Sequence, residues 1–222
     1  MLCLIKSKGL SELMKNILLI GDSIRMGYDK AVKKSFEGIA NVVFPEDNCR
    51  FASYVLRYFH EYTALINEGN IDVIHWNAGL WDCLHMFGEE AHTPIDIYSY
   101  YIERTCQRMK KLCPYANIIF ATSTSVITEK MDDKFKRFNE EIEKYNAAAS
   151  EIVKKYDIRI NDLYSLSKNL PPEAHSDAVH YYTSSGTQAF TDRVITSIAE
   201  FLNLEKIPTY SEVLYTDKPI GM

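Results

Sequence analysis

The feature of this 222-residue chain that most restricts its fold is an alternation of two patterns: short apolar runs ending at turn formers, and longer segments whose apolar residues recur every three or four positions. Residues 17–20 stop at Gly21, 39–44 run into Pro45, 71–76 and 117–121 follow, and 158–160 make a weaker fifth run. Such runs suit strands covered on both faces. Between them, Ile95, Tyr98, Ile102, Cys106, Met109 and Cys113 form one helical stripe over about 94–113. Phe135, Phe138, Ile142, Tyr145, Ala149, Ile152 and Tyr156 form a second, and Thr183 is placed to cap a last helix carrying Phe190, Val194, Ile198 and Phe201. Parts of 28–36 and 51–66 supply two more helices. The alternation predicts an α/β fold, a three-layer α/β/α sandwich around a mostly parallel sheet.

A chain of this length accommodates one well-buried core. With 46% hydrophobic and 25% charged residues it has the composition of a folded domain rather than a disordered chain. Met14 opens the first apolar segment, so 1–13 are expected to be an N-terminal extension, 14–203 the domain, and 204–222, broken by Pro208 and Pro219, a C-terminal tail. Basic and acidic residues are mixed and the net charge is -5, which argues against a nucleic-acid partner, because phosphate-backbone binding needs a concentrated basic field. No run reaches membrane-spanning length, so stable membrane insertion is not expected. The five cysteines lack CxxC spacing and fit free thiols in a reducing, cytoplasmic compartment, with Cys106 and Cys113 packed on their helix. His85, His92 and His175 form no convincing metal cluster with nearby acids, and no cofactor is expected.

In parallel α/β folds, sites form beyond the carboxyl ends of the strands. Gly21-Asp22-Ser23 directly follows the first strand, which puts the Ser23 hydroxyl at that edge and beside a helix start. A serine hydroxyl is a poor nucleophile until a base takes its proton. His180, just before the last helix, is the leading candidate, and the Asp177-x-x-His180 spacing lets a turn set a carboxylate against the imidazole Nδ1 and leave Nε2 free for Ser23.

Gly21-Asp22-Ser23-Ile24 together with Asp177-Ala178-Val179-His180 resembles the nucleophile block and the terminal Asp-x-x-His block of the SGNH, or GDSL-type, hydrolase family. The resemblance runs from Met14 to about Leu202. It implies a flavodoxin-like sandwich with five parallel strands in order 2-1-3-4-5, and cofactor-free hydrolysis of esters through Ser23, Asp177 and His180. The family's second block supplies a glycine N–H to the oxyanion; here the region reads Asp47-Asn48-Cys49-Arg50-Phe51, so the resemblance passes that role to the N–H of Cys49 or Arg50, beside that of Ser23. The third block is represented by His75-Trp76-Asn77-Ala78-Gly79-Leu80-Trp81-Asp82, in which Asn77 is the candidate amide donor. Asp22, Gly79, Trp81 and Thr124 are candidate pocket residues, Asp22 also as a brace or a partner of Arg25 or Arg50, whereas His75, inside an apolar strand, is expected to be packed.

The expected reaction is serine-dependent hydrolysis of small carboxylic esters, O-acetylated carbohydrates among them, through an acyl-serine. A lysophospholipase or thioesterase is the enzymatic alternative. An inactive ligand-binding domain on the same scaffold is the non-enzymatic one. With no membrane-binding helix apparent, a small-molecule ester or acetylated sugar ranks above bilayer lipid as the partner.

Overall fold

A computed structural model of the protein describes residues 14–67, 69–204 and 206–213. The strands in chain order are β1 (Lys15–Ile20), β2 (Ala40–Val43), β3 (Val73–Trp76), β4 (His85–Met86), β5 (Asn117–Ala121), β6 (Phe135–Lys136) and β7 (Arg159–Asn161). The helices are α1 (Ser23–Met26), α2 (Asp29–Ser35), α3 (Ala52–Thr63), α4 (Ile95–Leu112), α5 (Asn139–Lys154), α6 (Leu163–Lys168) and α7 (Ser184–Leu202). Five strands form one parallel sheet in the order β2-β1-β3-β5-β7, which is 2-1-3-4-5 when only its own strands are counted. The expected three-layer α/β/α sandwich is the observed one.

β1 shows why. Ile17, Leu18, Leu19 and Ile20 are all fully buried, so both faces of the strand are covered. Its neighbours sit in register on either side, Ile17 opposite Val42 of β2 and Val73 of β3. α3, α4 and α5 pack side by side in one helical layer, while α2, α6 and α7 form the other. Parallel strands need a crossover between them, and each crossover here contains a helix, so every strand delivers its carboxyl end to the same edge.

α4 begins after Pro94 and ends at Cys113, matching the stripe of small and large apolar residues that it buries. α7 is capped as expected: the Thr183 hydroxyl accepts from Gly186 N–H at 3.1 Å. The second stripe is shorter than its periodicity suggests. Phe138 is extended (φ -119, ψ 130), and the Asn139 side chain exchanges hydrogen bonds with both backbone groups of Val126, which fixes the start of α5 at residue 139. Phe135, at the head of that stripe, lies instead in β6, which pairs antiparallel with β4, and it is exposed rather than packed. Periodicity alone could not separate two aromatic residues of a strand and loop from a helical face that begins one residue later.

Cys49, Cys83, Cys106 and Cys113 are free and buried. The extension 1–13, Cys3 included, lies outside the described residues, as does most of the tail. The described part of the tail returns to the domain, where Ser211 N–H donates to the Ser35 hydroxyl at 2.9 Å. Among the described residues no helix is long and apolar enough to cross a membrane.

Candidate active site

β1 ends at Ile20, and Gly21 and Asp22 carry the chain over the carboxyl edge of the sheet into α1, whose first residue is Ser23. Asp22 Oδ1 accepts from Ile24 N–H at 3.0 Å. This cap fixes how the chain leaves the strand and leaves the Ser23 N–H, first in the helix, without an intrahelical acceptor. Asp22 therefore braces the loop. It does not pair with Arg25, whose guanidinium is buried against Asp29 and donates to the Asp47 carbonyl at 2.7 Å, nor with Arg50, which lies near Asp47.

The turn before α7 is organised around one carboxylate. Asp177 Oδ1 accepts from the N–H groups of Val179 and His180, both at 2.8 Å. The same group faces His180 Nδ1, at 2.8 Å from Oδ2 and 3.0 Å from Oδ1. An acceptor at Nδ1 makes that nitrogen the protonated one and leaves Nε2 as the basic nitrogen. Nε2 lies 2.8 Å from Ser23 Oγ. The sheet edge thus brings together two segments 157 positions apart. Partial burial alone would raise the Asp177 carboxyl, but the bonds from His180 and from the Val179 and His180 N–H groups outweigh it and hold its pKa well below the ordinary carboxylate value.

Tyr182, two residues after His180, carries a role that neither periodicity nor motif revealed. Its ring stacks on the imidazole with centroids 4.8 Å apart and 20° between planes, and its hydroxyl donates to the Ser23 carbonyl at 2.7 Å. One side chain so holds the plane of the His180 ring and the main chain of Ser23.

Asn77 follows β3 directly. Its N–H donates to the Ile20 carbonyl at 3.1 Å, which extends the β1–β3 ladder to the site. Its side chain is pressed against Gly21 so closely that a Cβ there would fall 1.9 Å from Asn77 Oδ1. Gly21 is thus required for close approach, a reading the block Gly21-Asp22-Ser23 did not disclose by itself.

The loop after β2 corrects one expectation. The Cys49 N–H donates to the Gly21 carbonyl at 3.1 Å, and its side chain is fully buried, so this residue ties the loop to the end of β1 instead of facing a ligand. Arg50 occupies the left-handed region at φ 38, where a glycine is ordinarily favoured, and its N–H is held by Asn48 Oδ1 at 3.0 Å. Of the two backbone donors considered there, Arg50 is the one on the strained, glycine-like corner.

Two pocket candidates also turn out to be structural. Gly79 (φ 146) backs onto the Ser123 hydroxyl, which a Cβ would meet at 2.4 Å. Thr124 is fully buried, and the hydroxyl-rich loop around it is tied to α5 and α6 through Ser123 with Asn146 and Ser125 with Ser167. The Trp81 ring meets Phe51 edge-on at 5.6 Å, and Phe51 in turn lies 4.5 Å from His92. His75 is packed in β3, where burial pulls its pKa down to about 3 and keeps the ring neutral. His85 is clasped by Glu141 and the Glu89 carbonyl, and His175 lies against Tyr181. Asp82, buried and pushed up to about 7 by that burial, accepts from the Ala52 N–H at the start of α3.

The sequence matches no protein-family model and no curated protein sequence. Solved structures do match. A lipase/acylhydrolase from Enterococcus faecalis superposes with a TM-score of 0.66 at 16% identity, over 84% of this chain and 96% of that one. A GDSL-like lipase from Bacteroides thetaiotaomicron gives 0.64 at 16% identity, over 84% and 88% of the two chains. An acetylxylan esterase from Geobacillus stearothermophilus gives 0.63 at 17% identity, over 86% and 95%. The chain shares its α/β/α fold with these structures, a GDSL-like lipase among them. In this domain the loop after β1 and the turn before α7 meet at the carboxyl edge of the sheet, with Asn77 at the start of the loop that follows β3.

Proposed function

We propose that this protein hydrolyses small carboxylic esters through an acyl-serine on Ser23. The observation that carries the reading is the unbroken chain of hydrogen-bonding distances from Asp177 through His180 to Ser23 Oγ, 2.8 Å at each step. In the first half-reaction Ser23 Oγ attacks the ester carbonyl carbon as its proton passes to His180 Nε2. The C–O bond to the alcohol then breaks, and the alcohol leaves with that proton. In the second half, water gives its proton to His180 Nε2, attacks the acyl-serine, and releases the acid as Ser23 regains its proton. Asp177 holds Nδ1 and stabilises the imidazolium formed in each half.

The oxyanion lies against the Ser23 N–H, the Asn77 side-chain amide and the Arg50 N–H, the last released from or shared with Asn48. Donors of this kind typically contribute about 10²- to 10³-fold each in kcat. The Phe51, Trp81 and His92 wall supports an alcohol portion with flat apolar faces, acetylated sugars included, and two of the similar structures carry names of esterase or acylhydrolase enzymes. A cytoplasmic location remains part of this reading and rests on the free, buried thiols. Ser23→Ala tests the assignment: turnover of short-acyl aryl and sugar esters is expected to vanish with the thermal midpoint retained, and persistent turnover by the purified variant rejects it.

A further inference from the structure

Arg137 lies in the segment between β6 and α5 and is 8% exposed. Its Nε donates to the Leu80 carbonyl, next to Trp81 in the loop after β3, and its own carbonyl accepts from the Thr128 hydroxyl at 2.9 Å. The loop that holds Thr128 also bonds the Asp177–His180 turn, through Ile127 N–H to the Ala178 carbonyl at 2.8 Å. Arg137 is thereby wedged between the two loops that flank Ser23 and His180. Among the described residues no carboxylate lies within 4.0 Å of this guanidinium, and the Leu80 carbonyl is its one hydrogen-bond acceptor.

The terminal nitrogens lack a protein partner but keep some contact with solvent, and a guanidinium this largely buried with no anion beside it is costly to keep. Burial does pull this group's pKa down, and its neighbours do not reverse the effect. The nearby Cys83 thiol is pushed up to about 12 by burial and is neutral at ordinary pH. The Asp22 carboxyl feels Arg137 and His180, yet it is committed through Oδ1 to the cap of α1. Neither group matches the planar fork that an arginine offers to a carboxylate.

Resting on the proposed hydrolase reading, we infer that Arg137 is a specificity-determining residue that binds a carboxylate carried by the substrate, so that the preferred esters are those of carboxylate-bearing acids or alcohols. One guanidinium carries a single positive charge, which a carboxylate matches better than a doubly charged phosphate monoester does.

Two matched ester pairs test this and locate the anion. The 4-nitrophenyl ester of butyric acid against the mono-4-nitrophenyl ester of succinic acid places the carboxylate on the acyl side; phenyl acetate against 4-acetoxybenzoate places it on the alcohol side. In wild type the anionic-to-neutral ratio of kcat/KM is expected to exceed one in one pair and to fall as salt rises. It drops by at least about tenfold in Arg137→Gln, with Arg137→Lys intermediate because it keeps the charge and loses the fork. A wild-type ratio at or below one in both pairs overturns the inference, as does a ratio unchanged by Arg137→Gln. Should the glutamine variant fail to fold, the ratio in Arg137→Lys and the wild-type salt dependence decide in the same way.

Titration of Ser23→Ala with succinate and benzoate reads the same site without turnover. Saturable binding of one of them that Arg137→Gln weakens at least about tenfold is expected, and binding indifferent to that change contradicts the inference. Carboxylate binding that depends on Arg137, in a protein that hydrolyses no ester, would reject the hydrolase reading and leave the anion site standing.

Discussion

Replacing Gly21 by alanine tests how the proposed oxyanion side of the site is built. The added Cβ would lie 1.9 Å from Asn77 Oδ1 and 2.8 Å from Arg25 Cβ, whereas ordinary contact begins at 3.4 Å. The Asn77 side chain must therefore retreat by about 1.5 Å, and Arg25, buried in its pairing with Asp29, has little room to move. A shift of that size takes an amide donor out of the roughly 2.7–3.1 Å range in which it stabilises an oxyanion, so kcat should fall about 10²- to 10³-fold with KM changed much less. Asn77→Ala should lose a similar amount. Because both changes act on one group, the double variant should be little worse than Asn77→Ala alone, and the loss in thermal midpoint caused by Gly21→Ala should be partly relieved once the clashing amide is gone. The assay is steady-state hydrolysis of a short aryl ester beside thermal unfolding of all four proteins. A Gly21→Ala enzyme within about threefold of wild-type kcat, or a double variant whose loss is the product of the two single losses, would refute the reasoning.

Further outcomes follow from single groups. Asp177→Asn keeps the shape of the turn but loses the charge and the acceptor that fix the His180 tautomer, so kcat should fall by about 10³- to 10⁴-fold with little change in KM, read in the same ester assay. Because the Asp177 pKa is depressed, its support for the turn is present above the unfolded value of about 3.9 and is lost only as pH falls below it through the lower folded value, so this carboxyl should contribute no change in unfolding free energy between pH 7 and 5 and a loss of stability below about pH 4. Tyr182→Phe removes the bond to the Ser23 carbonyl and keeps the stacked ring, which should cost about 1 kcal/mol in denaturant unfolding and a few-fold in kcat. Asp82 has the opposite sign: a folded pKa of about 7 against 3.8 means the folded protein holds the extra proton between those values, so stability falls as pH rises from about 4 to 7, by up to about 4 kcal/mol, and Asp82→Asn should flatten that slope in unfolding measured across this range.

The sheet was legible because β1, β3 and β5 are buried on both faces and therefore read as largely apolar runs bounded by turns, β3 despite His75. α4 and α7 were legible because their apolar stripes and caps agree. Less was visible where two signals overlapped, as at Phe135 and Phe138, whose spacing continues the period of α5 although Asn139 begins the helix through a contact with Val126 far from any local pattern. Ser23, Asp177 and His180 were singled out because each sits at a topologically special place, and the structure brings the three into hydrogen-bonding reach. Cys49 was misjudged because a backbone N–H shows in sequence neither its direction nor its acceptor. Tyr182 and Arg137 stayed hidden for the related reason that their partners are main-chain carbonyls of distant loops, which no residue pattern encodes.

The most direct measurement of the central claim is covalent capture: treat the native protein with a serine-reactive fluorophosphonate and map the modified residue by peptide mass spectrometry. A single stoichiometric adduct on Ser23, absent from Ser23→Ala and formed far more slowly in Asp177→Asn, is the predicted result. An adduct on another residue, or hydrolysis of esters that continues at full rate while Ser23 stays unmodified, would contradict it.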